Sequence, residues 1–327
     1  MTNHSELLQP LKVIPLGGLG EIGLNMMVVE YGETIFLIDA GLMFPEDDML
    51  GIDIVIPDFS YLQQNRQRVR ALVVTHGHED HIGAIPFLLR EFQLPIYATP
   101  LTLALIQEKL KEHGLLSRSE LIQVLPGEEV SIGPFGVEFI RVCHSIPDGV
   151  GLAIRPPVGV LVHSGDFKID NTPIDARRFD VARFGAYGEK GVLALFSDST
   201  NVERPGYTLS EKDVGQTLRN IFQECSGRII VAVFASNLHR IQQVIWLARE
   251  FKRKVLLNGR SMVINVRIGS ELGYLDFPPE EELSLQDLAR LPDSEVLMLT
   301  TGSQGEPMSA LTRMAFDDHK KLKVQKG

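Results

Sequence analysis

Cysteine is scarce in this 327-residue chain. There are two, Cys143 and Cys225, far apart and in no C-x-x-C pattern. That spacing excludes a disulfide framework and a cysteine-type zinc site. Positive charge is also in short supply: 32 Lys and Arg stand against 42 Asp and Glu, a formal net charge of −10. A generally basic nucleic-acid coat protein is excluded, although an acidic protein can still carry a local basic groove. No apolar run approaches the ~20 residues of a membrane span, and the polar stretch Met1–Pro10 has no signal-peptide pattern. A cytoplasmic protein without a membrane partner is expected. Internal repeats and low-complexity tracts are absent too. What is present is the composition of a soluble globular protein with a full core, 44% apolar and 23% charged, at a length that suits about two domains.

The first half reads as short strands with tight turns: Leu11–Leu16, a hairpin of Met26–Tyr31 and Thr34–Asp39, and a buried strand at Ala71–Thr75. Helices are expected at Ile82–Phe92, with Pro86 tolerable only in its first turn, and at Leu101–Glu112. Further strands follow at Glu129–Ile132, Gly136–Val142, Val150–Ile154 and Val158–His163, and a buried strand at Val192–Phe196. From about Ser210 the rhythm changes. Helices at Lys212–Cys225, Leu238–Phe251 and Met262–Leu272 alternate with strands at Arg228–Phe234, Lys254–Leu257 and Glu295–Thr300. That β-α-β order predicts a separate parallel sheet. The domains are therefore placed at 1–205 and 206–327, with Glu203-Arg204-Pro205-Gly206 as punctuation.

The chemistry concentrates in Thr75-His76-Gly77-His78-Glu79-Asp80-His81, directly after the apolar segment Ala71–Val74. Neutral imidazoles and carboxylates suit Zn²⁺ and similar divalent ions. Burying them without a metal would leave desolvated polar atoms unpaired. His144 and Asp166 sit at the ends of other strands, and residues gathered at one rim of a sheet are a common way to build a site. Six donors, His76, His78, Asp80, His81, His144 and Asp166, exceed one tetrahedral ion and suit two ions sharing a bridging carboxylate. A second pattern, Gly18-Leu19-Gly20-Glu21-Ile22-Gly23 with Asp39 downstream, fits the G-x-G-x-x-G dinucleotide fingerprint. Its context fails, because Met26–Tyr31 reads as a strand where the fingerprint needs a helix. The glycines are expected to form a turn beside the site, with Asp39 supporting the ligands.

The H-x-H-x-D-H run, His144 and the Gly165-Asp166 turn resemble the metallo-β-lactamase superfamily. The segments Leu16–Gly23, Asp39–Pro45, Ser197–Asn201, Phe234–Asn237 with Arg240, and Thr301–Pro307 resemble its ribonuclease J family. The resemblance implies an α/β fold, a metallo-β-lactamase αββα sandwich with an inserted β-CASP α/β domain, here incomplete. It implies a first metal on His76, His78 and His144, a second on Asp80 and His81, Asp166 as the bridge, and Asp39 orienting the cluster. The metals are two divalent ions, Zn²⁺ first, with Mn²⁺ or Mg²⁺ as alternatives.

Asp80 and Asp198 are candidate catalytic residues beside Asp39. The resemblance places Phe234, Ala235, Ser236 and Asn237 near the RNA 5′ nucleotide, although Ser236 or Asn237 would equally serve as a helix cap. The implied activity is metal-dependent RNA hydrolysis, 5′→3′ from a monophosphorylated end with internal cutting as an addition, in rRNA maturation and mRNA decay. A homo-oligomer or paralogue complex is implied for the full-length enzyme. The alternatives are an RNA-binding or assembly partner with little activity, or another hydrolase on the same scaffold. The family continues into a His-x-Ser-Gly-His motif, return strands and one more histidine for the second metal. A fragment is therefore expected, with a sheet edge exposed and one metal held better than two; His319, in a charged run, is not expected to replace the missing ligand.

Overall fold

A computed structural model of the chain describes residues 9–46, 48–305, 309–319 and 322. The structure divides into two compact units. The first takes in residues up to 144, 148–169 and 178–205; the second takes in 145–147, 170–177 and the residues from 206 onward.

The first unit is built on two sheets. One has six strands in sequence order: β1 (Leu11–Gly17), β2 (Met26–Tyr31), β3 (Thr34–Ile38), β4 (Val69–Val73), β5 (Pro95–Ala98) and β6 (Glu120–Gln123). The β1–β2–β3 meander is antiparallel, and β3 to β6 run parallel. The second sheet orders β11 (Ala194–Phe196), β10 (Leu161–His163), β9 (Val150–Arg155), β8 (Phe135–Arg141) and β7 (Glu129–Ile132). Alternation along the strands decides the layering. Val29, Phe36, Ile38 and Val73 of the first sheet pack with Val137, Phe139, Leu152 and Ile154 of the second in one core. Ile35, Leu37 and Leu72, which point the other way, are equally buried, so the first sheet is covered on both faces.

The outer layers are helical. α1 (Ser60–Gln64) precedes β4, α2 (Glu79–Ile82) and α3 (Ile85–Glu91) follow it, and α4 (Pro100–Glu112) links β5 to β6. α4 buries Leu101, Leu105, Ile106 and Leu110. Behind the second sheet, α5 (Val181–Lys190) sets Tyr187 and Phe184 against Ile140, Ala153 and Val162. The layers are helix, sheet, sheet, helix: the αββα sandwich expected from the sequence.

Three local expectations need correction, the first being that the strand expected over Val158–His163 is reduced to β10, Leu161–His163. The helix expected over Ile82–Phe92 is broken between α2 and α3, at Gly83 and Ala84. A Cβ on Gly83 would lie 2.3 Å from Leu42, so close packing fixes the residue there, and Pro86 occupies the first turn of the new helix. The strand expected to be buried over Val192–Phe196 shrinks to the three residues of β11, at the sheet edge, with Leu195 64% exposed.

The second unit holds the parallel sheet expected from its rhythm, ordered β12 (Ile229–Ala232), β14 (Val296–Thr300), β13 (Lys254–Asn258). Around it lie α6 (Glu211–Glu224), α7 (Leu238–Glu250), α8 (Arg260–Glu271) and α9 (Ala310–Ala315). Segment 170–177 belongs to this unit by its bonds. Asp170 Oδ2 accepts from Glu211 N and Ser210 Oγ at the start of α6, and Asp175 pairs with His239 of α7 at 3.3 Å. Among the described residues no helix is long and apolar enough to cross a membrane.

Candidate metal centre

The centre lies in the first unit and is made from strand ends. Beyond β4 the chain stays extended, and Thr75 N donates to Asp39 Oδ1 at 2.7 Å. Asp39 closes β3 in a left-handed conformation, φ 60°, one that Asp tolerates better than most residues. Below the loop Gly41 passes so close to Asp80 that a Cβ there would lie 1.6 Å from its carbonyl oxygen. His78 then sits at the entrance to α2, and Asp80 and His81 fall in that helix's single turn.

Extended backbone sends His76 and His78 to one place, where the loop after β8 adds His144 and the turn after β10 adds Asp166. His76 Nε2 lies 3.0 Å and His144 Nε2 3.2 Å from His78 Nδ1. A tetrahedral ion with Zn–N of about 2.0–2.1 Å separates its donors by roughly 3.3 Å, which the two separations from His78 Nδ1 approach, and the three donor atoms all lie within 4.8 Å of one another. Asp166 Oδ2 lies 4.0 Å from His76, 3.8 Å from His144 and 3.5 Å from His81, and with His76 and His81 it makes a second group of donors. Asp80 Oδ2 is 3.5 Å from His81 Nε2. Glu79 points elsewhere, to Lys109. The donors converge on a common space, and their chemistry fits divalent cations.

The charges agree with that use. Burial, aided by the neighbouring imidazoles, holds His76 well below the usual histidine range and brings His78 down to about 3, so both offer lone pairs. Burial works against the Asp166 carboxylate, but His81 and the other imidazoles overcome it and bring Asp166 down to about 2. His81 is likewise opposed by burial and is raised by Asp39 and Asp166.

Asp198 does not stand among these donors. Its carboxylate accepts from Thr200 N at 2.8 Å and Phe167 N at 3.4 Å, while its own N–H donates to Ser164 Oγ. It thus braces the turn that carries Asp166. Phe234, Ala235, Ser236 and Asn237 lie in the second unit, between β12 and α7. Asn237 caps α7, accepting from Arg240 N at 3.0 Å, and Phe234 is exposed. His319, also in the second unit, accepts from Leu322 N. Glu306 and Pro307 of the Thr301–Pro307 motif lie outside the described residues.

Sequence reasoning missed three contributors. Asn25 Nδ2 lies 3.2 Å from both Asp80 Oδ2 and His81 Nε2. His163 Nδ1 accepts from Gly165 N at 3.1 Å. Thr75 Oγ1 touches Asp39, His76 and His81. Only their adjacency to the glycine loop, to Asp166 and to the histidine run could have signalled them.

Comparison with known proteins agrees with this architecture. Residues 19–203 match the metallo-beta-lactamase superfamily, and the chain belongs to that superfamily. Within it the likeness is to ribonuclease J: residues 226–327 match the description "Ribonuclease J, beta-CASP domain". The chain is 50% identical over 321 residues to Ribonuclease J of Synechocystis sp., covering 98% of this chain and 50% of that one. It is 46% identical over 316 residues to Ribonuclease J of Helicobacter pylori, covering 96% and 46%. With Ribonuclease J 1 of Streptococcus pyogenes it shares 48% over 327 residues, covering 100% and 58%. The chain thus spans about half the length of the curated relatives it matches. A solved structure of a protein of unknown function from Enterococcus faecalis has a TM-score of 0.61 at 16% identity, over 90% of this chain and 78% of that chain; at that identity the likeness is one of fold.

Proposed function

We propose that the chain is the metallo-β-lactamase and β-CASP portion of a metal-dependent ribonuclease that hydrolyses RNA phosphodiester bonds. The observation that carries this reading is the approach of His76 Nε2 and His144 Nε2 to within 3.0 and 3.2 Å of His78 Nδ1 beside Asp166, in a chain similar to proteins named ribonuclease J. His76, His78 and His144 would hold the first ion. Asp80 and His81 would hold the second, with Asp166 available to either. When bound, divalent ions lower the pKa of a coordinated water and offset charge on phosphoryl oxygens. Asp39 fixes His81 in the orientation that aims Nε2 inward. Asp80, lifted above the usual carboxylate range by burial, orients the attacking water, and Asp198 steadies the Asp166 turn.

In the second unit the Ser236 hydroxyl would receive the phosphate of the RNA 5′ nucleotide, since the N–H groups of Asn237 and Leu238 are already donated to the Phe234 and Ser236 carbonyls. The preferred substrate is RNA with a 5′-monophosphate, degraded 5′→3′ and also cut internally, in cytoplasmic rRNA maturation and mRNA decay. Zn²⁺ is the first metal, with Mn²⁺ or Mg²⁺ as substitutes. Full-length enzyme assembles with itself or a paralogue.

The test incubates matched 5′-monophosphate and 5′-triphosphate RNAs with the protein and Zn²⁺ or Mn²⁺, beside His76→Ala. The expected result is weak but metal-dependent cleavage that favours the monophosphate and disappears in the variant. Cleavage indifferent to both the 5′ end and His76 would reject the reading. RNA binding that survives in His76→Ala without cleavage by either protein would favour an RNA-binding partner.

A further inference from the structure

Thr75 is fully buried, and its hydroxyl stands between Asp39 and the histidines. Oγ1 lies 2.8 Å from Asp39 Oδ2, 3.1 Å from His76 Nδ1 and 3.5 Å from His81 Nδ1. The same Asp39 oxygen lies 2.8 Å from His81 Nδ1. Counting hydrogens leaves one arrangement. A carboxylate only accepts, and a hydroxyl has one proton. The Thr75 proton therefore goes to Asp39 Oδ2, and the Thr75 lone pairs face His76. His76 must then donate from Nδ1. With Nδ1 protonated, its lone pair is on Nε2, the atom that meets His78 Nδ1 at 3.0 Å.

We infer that Thr75 is a positioning residue that relays Asp39 to His76, so that one carboxylate sets the tautomer of a histidine in each metal group: His81 directly, His76 through the hydroxyl. The inference rests on the metal-centre reading above and deepens it. Outer partners of this kind fix ring orientation and the nitrogen offered to the metal. The alternative, that Thr75 merely braces the Asp39 backbone loop, makes a different prediction, because the Thr75 N–H bond to Asp39 survives any side-chain change.

Thr75→Val keeps the shape and removes the hydroxyl; Thr75→Ser keeps the hydroxyl. Apo protein is titrated with Zn²⁺ against a chromophoric chelator, and thermal melting of the apo forms is followed in parallel. Thr75→Val is expected to weaken Zn²⁺ binding about 10–100-fold, with Thr75→Ser remaining near wild type. In zinc-loaded wild type, long-range ¹H–¹⁵N correlation should show the His76 proton on Nδ1, a readout that needs no variant to fold. Wild-type zinc affinity in Thr75→Val, or a His76 Nδ1 without a proton, would overturn the relay alone. Failure of wild-type protein to bind Zn²⁺ at all would overturn the metal-centre reading beneath it.

Discussion

At Gly41 a single methyl group decides the geometry of the loop above it. With the Asp80 carbonyl 1.6 Å from where a Cβ would stand, Gly41→Ala must displace the segment that carries Asp80 and His81. Overpacking of this kind costs about 1–3 kcal/mol. The expected outcome is a lowered melting temperature together with loss of Zn²⁺ binding, read by calorimetry and by metal titration.

A second residue sets an acid limit. Glu30 is 3% exposed and accepts from Lys12 at 2.8 Å, Arg68 at 2.7 Å and Tyr61 at 2.5 Å. Burial pushes its carboxyl up, but these bonds and the Arg68 charge prevail and bring it from the ordinary 4.5 down to about 2. The unfolded chain therefore binds the proton first as pH falls. The stabilisation is whole above about pH 4.5 and is lost on the way to pH 2, on the order of 3 kcal/mol. Denaturation of wild type and Glu30→Gln across that window should show a gap that is widest above pH 4.5 and closes toward pH 2. The histidine run was legible because five chemically distinctive residues stand together. Thr75 was not, because a hydroxyl acquires its meaning from which atoms lie within 3 Å of it.

Elements were legible where periodicity was strong. The alternation of helix and strand after Ser210 foretold the parallel sheet of β12, β14 and β13, and the buried runs foretold the strands of the sandwich. Helix α5 was missed because its sequence, Val181-Ala-Arg-Phe-Gly-Ala-Tyr-Gly-Glu-Lys190, contains two glycines that weaken a helical reading. Packing of Phe184 and Tyr187 on the second sheet overrides that propensity. β11 was legible as a strand but not as an edge, since edge position depends on what pairs with it. It pairs with β10 on one side, and it carries Leu195, with exposed Leu193 just before it. Such an edge is prone to self-association. Leu195→Lys is expected to reduce concentration-dependent light scattering while changing stability by no more than about 0.5 kcal/mol.

For the whole molecule, a ligand that binds only the folded state adds stability by mass action, about 2.7 kcal/mol at a hundredfold excess over Kd. Zn²⁺ should raise the melting of the first unit and EDTA reverse it, while a transition belonging to the second unit stays in place; calorimetry with and without chelator reads both. The second unit also reaches back into the earlier sequence. A protein made of residues 206–327 alone would lack Asp170 at the start of α6 and Asp175 on His239. It is expected to melt lower than the same unit within the whole chain, and addition of a 170–177 peptide in excess should recover part of the difference. During synthesis the consequence is one of timing. Asp170–Arg177 emerges from the ribosome ahead of α6, and at about 5–20 residues per second it waits several seconds for the helix whose first N–H groups it will accept. Through that interval a strip of the second unit travels with the nascent first one, available to whatever else meets it before α6 arrives.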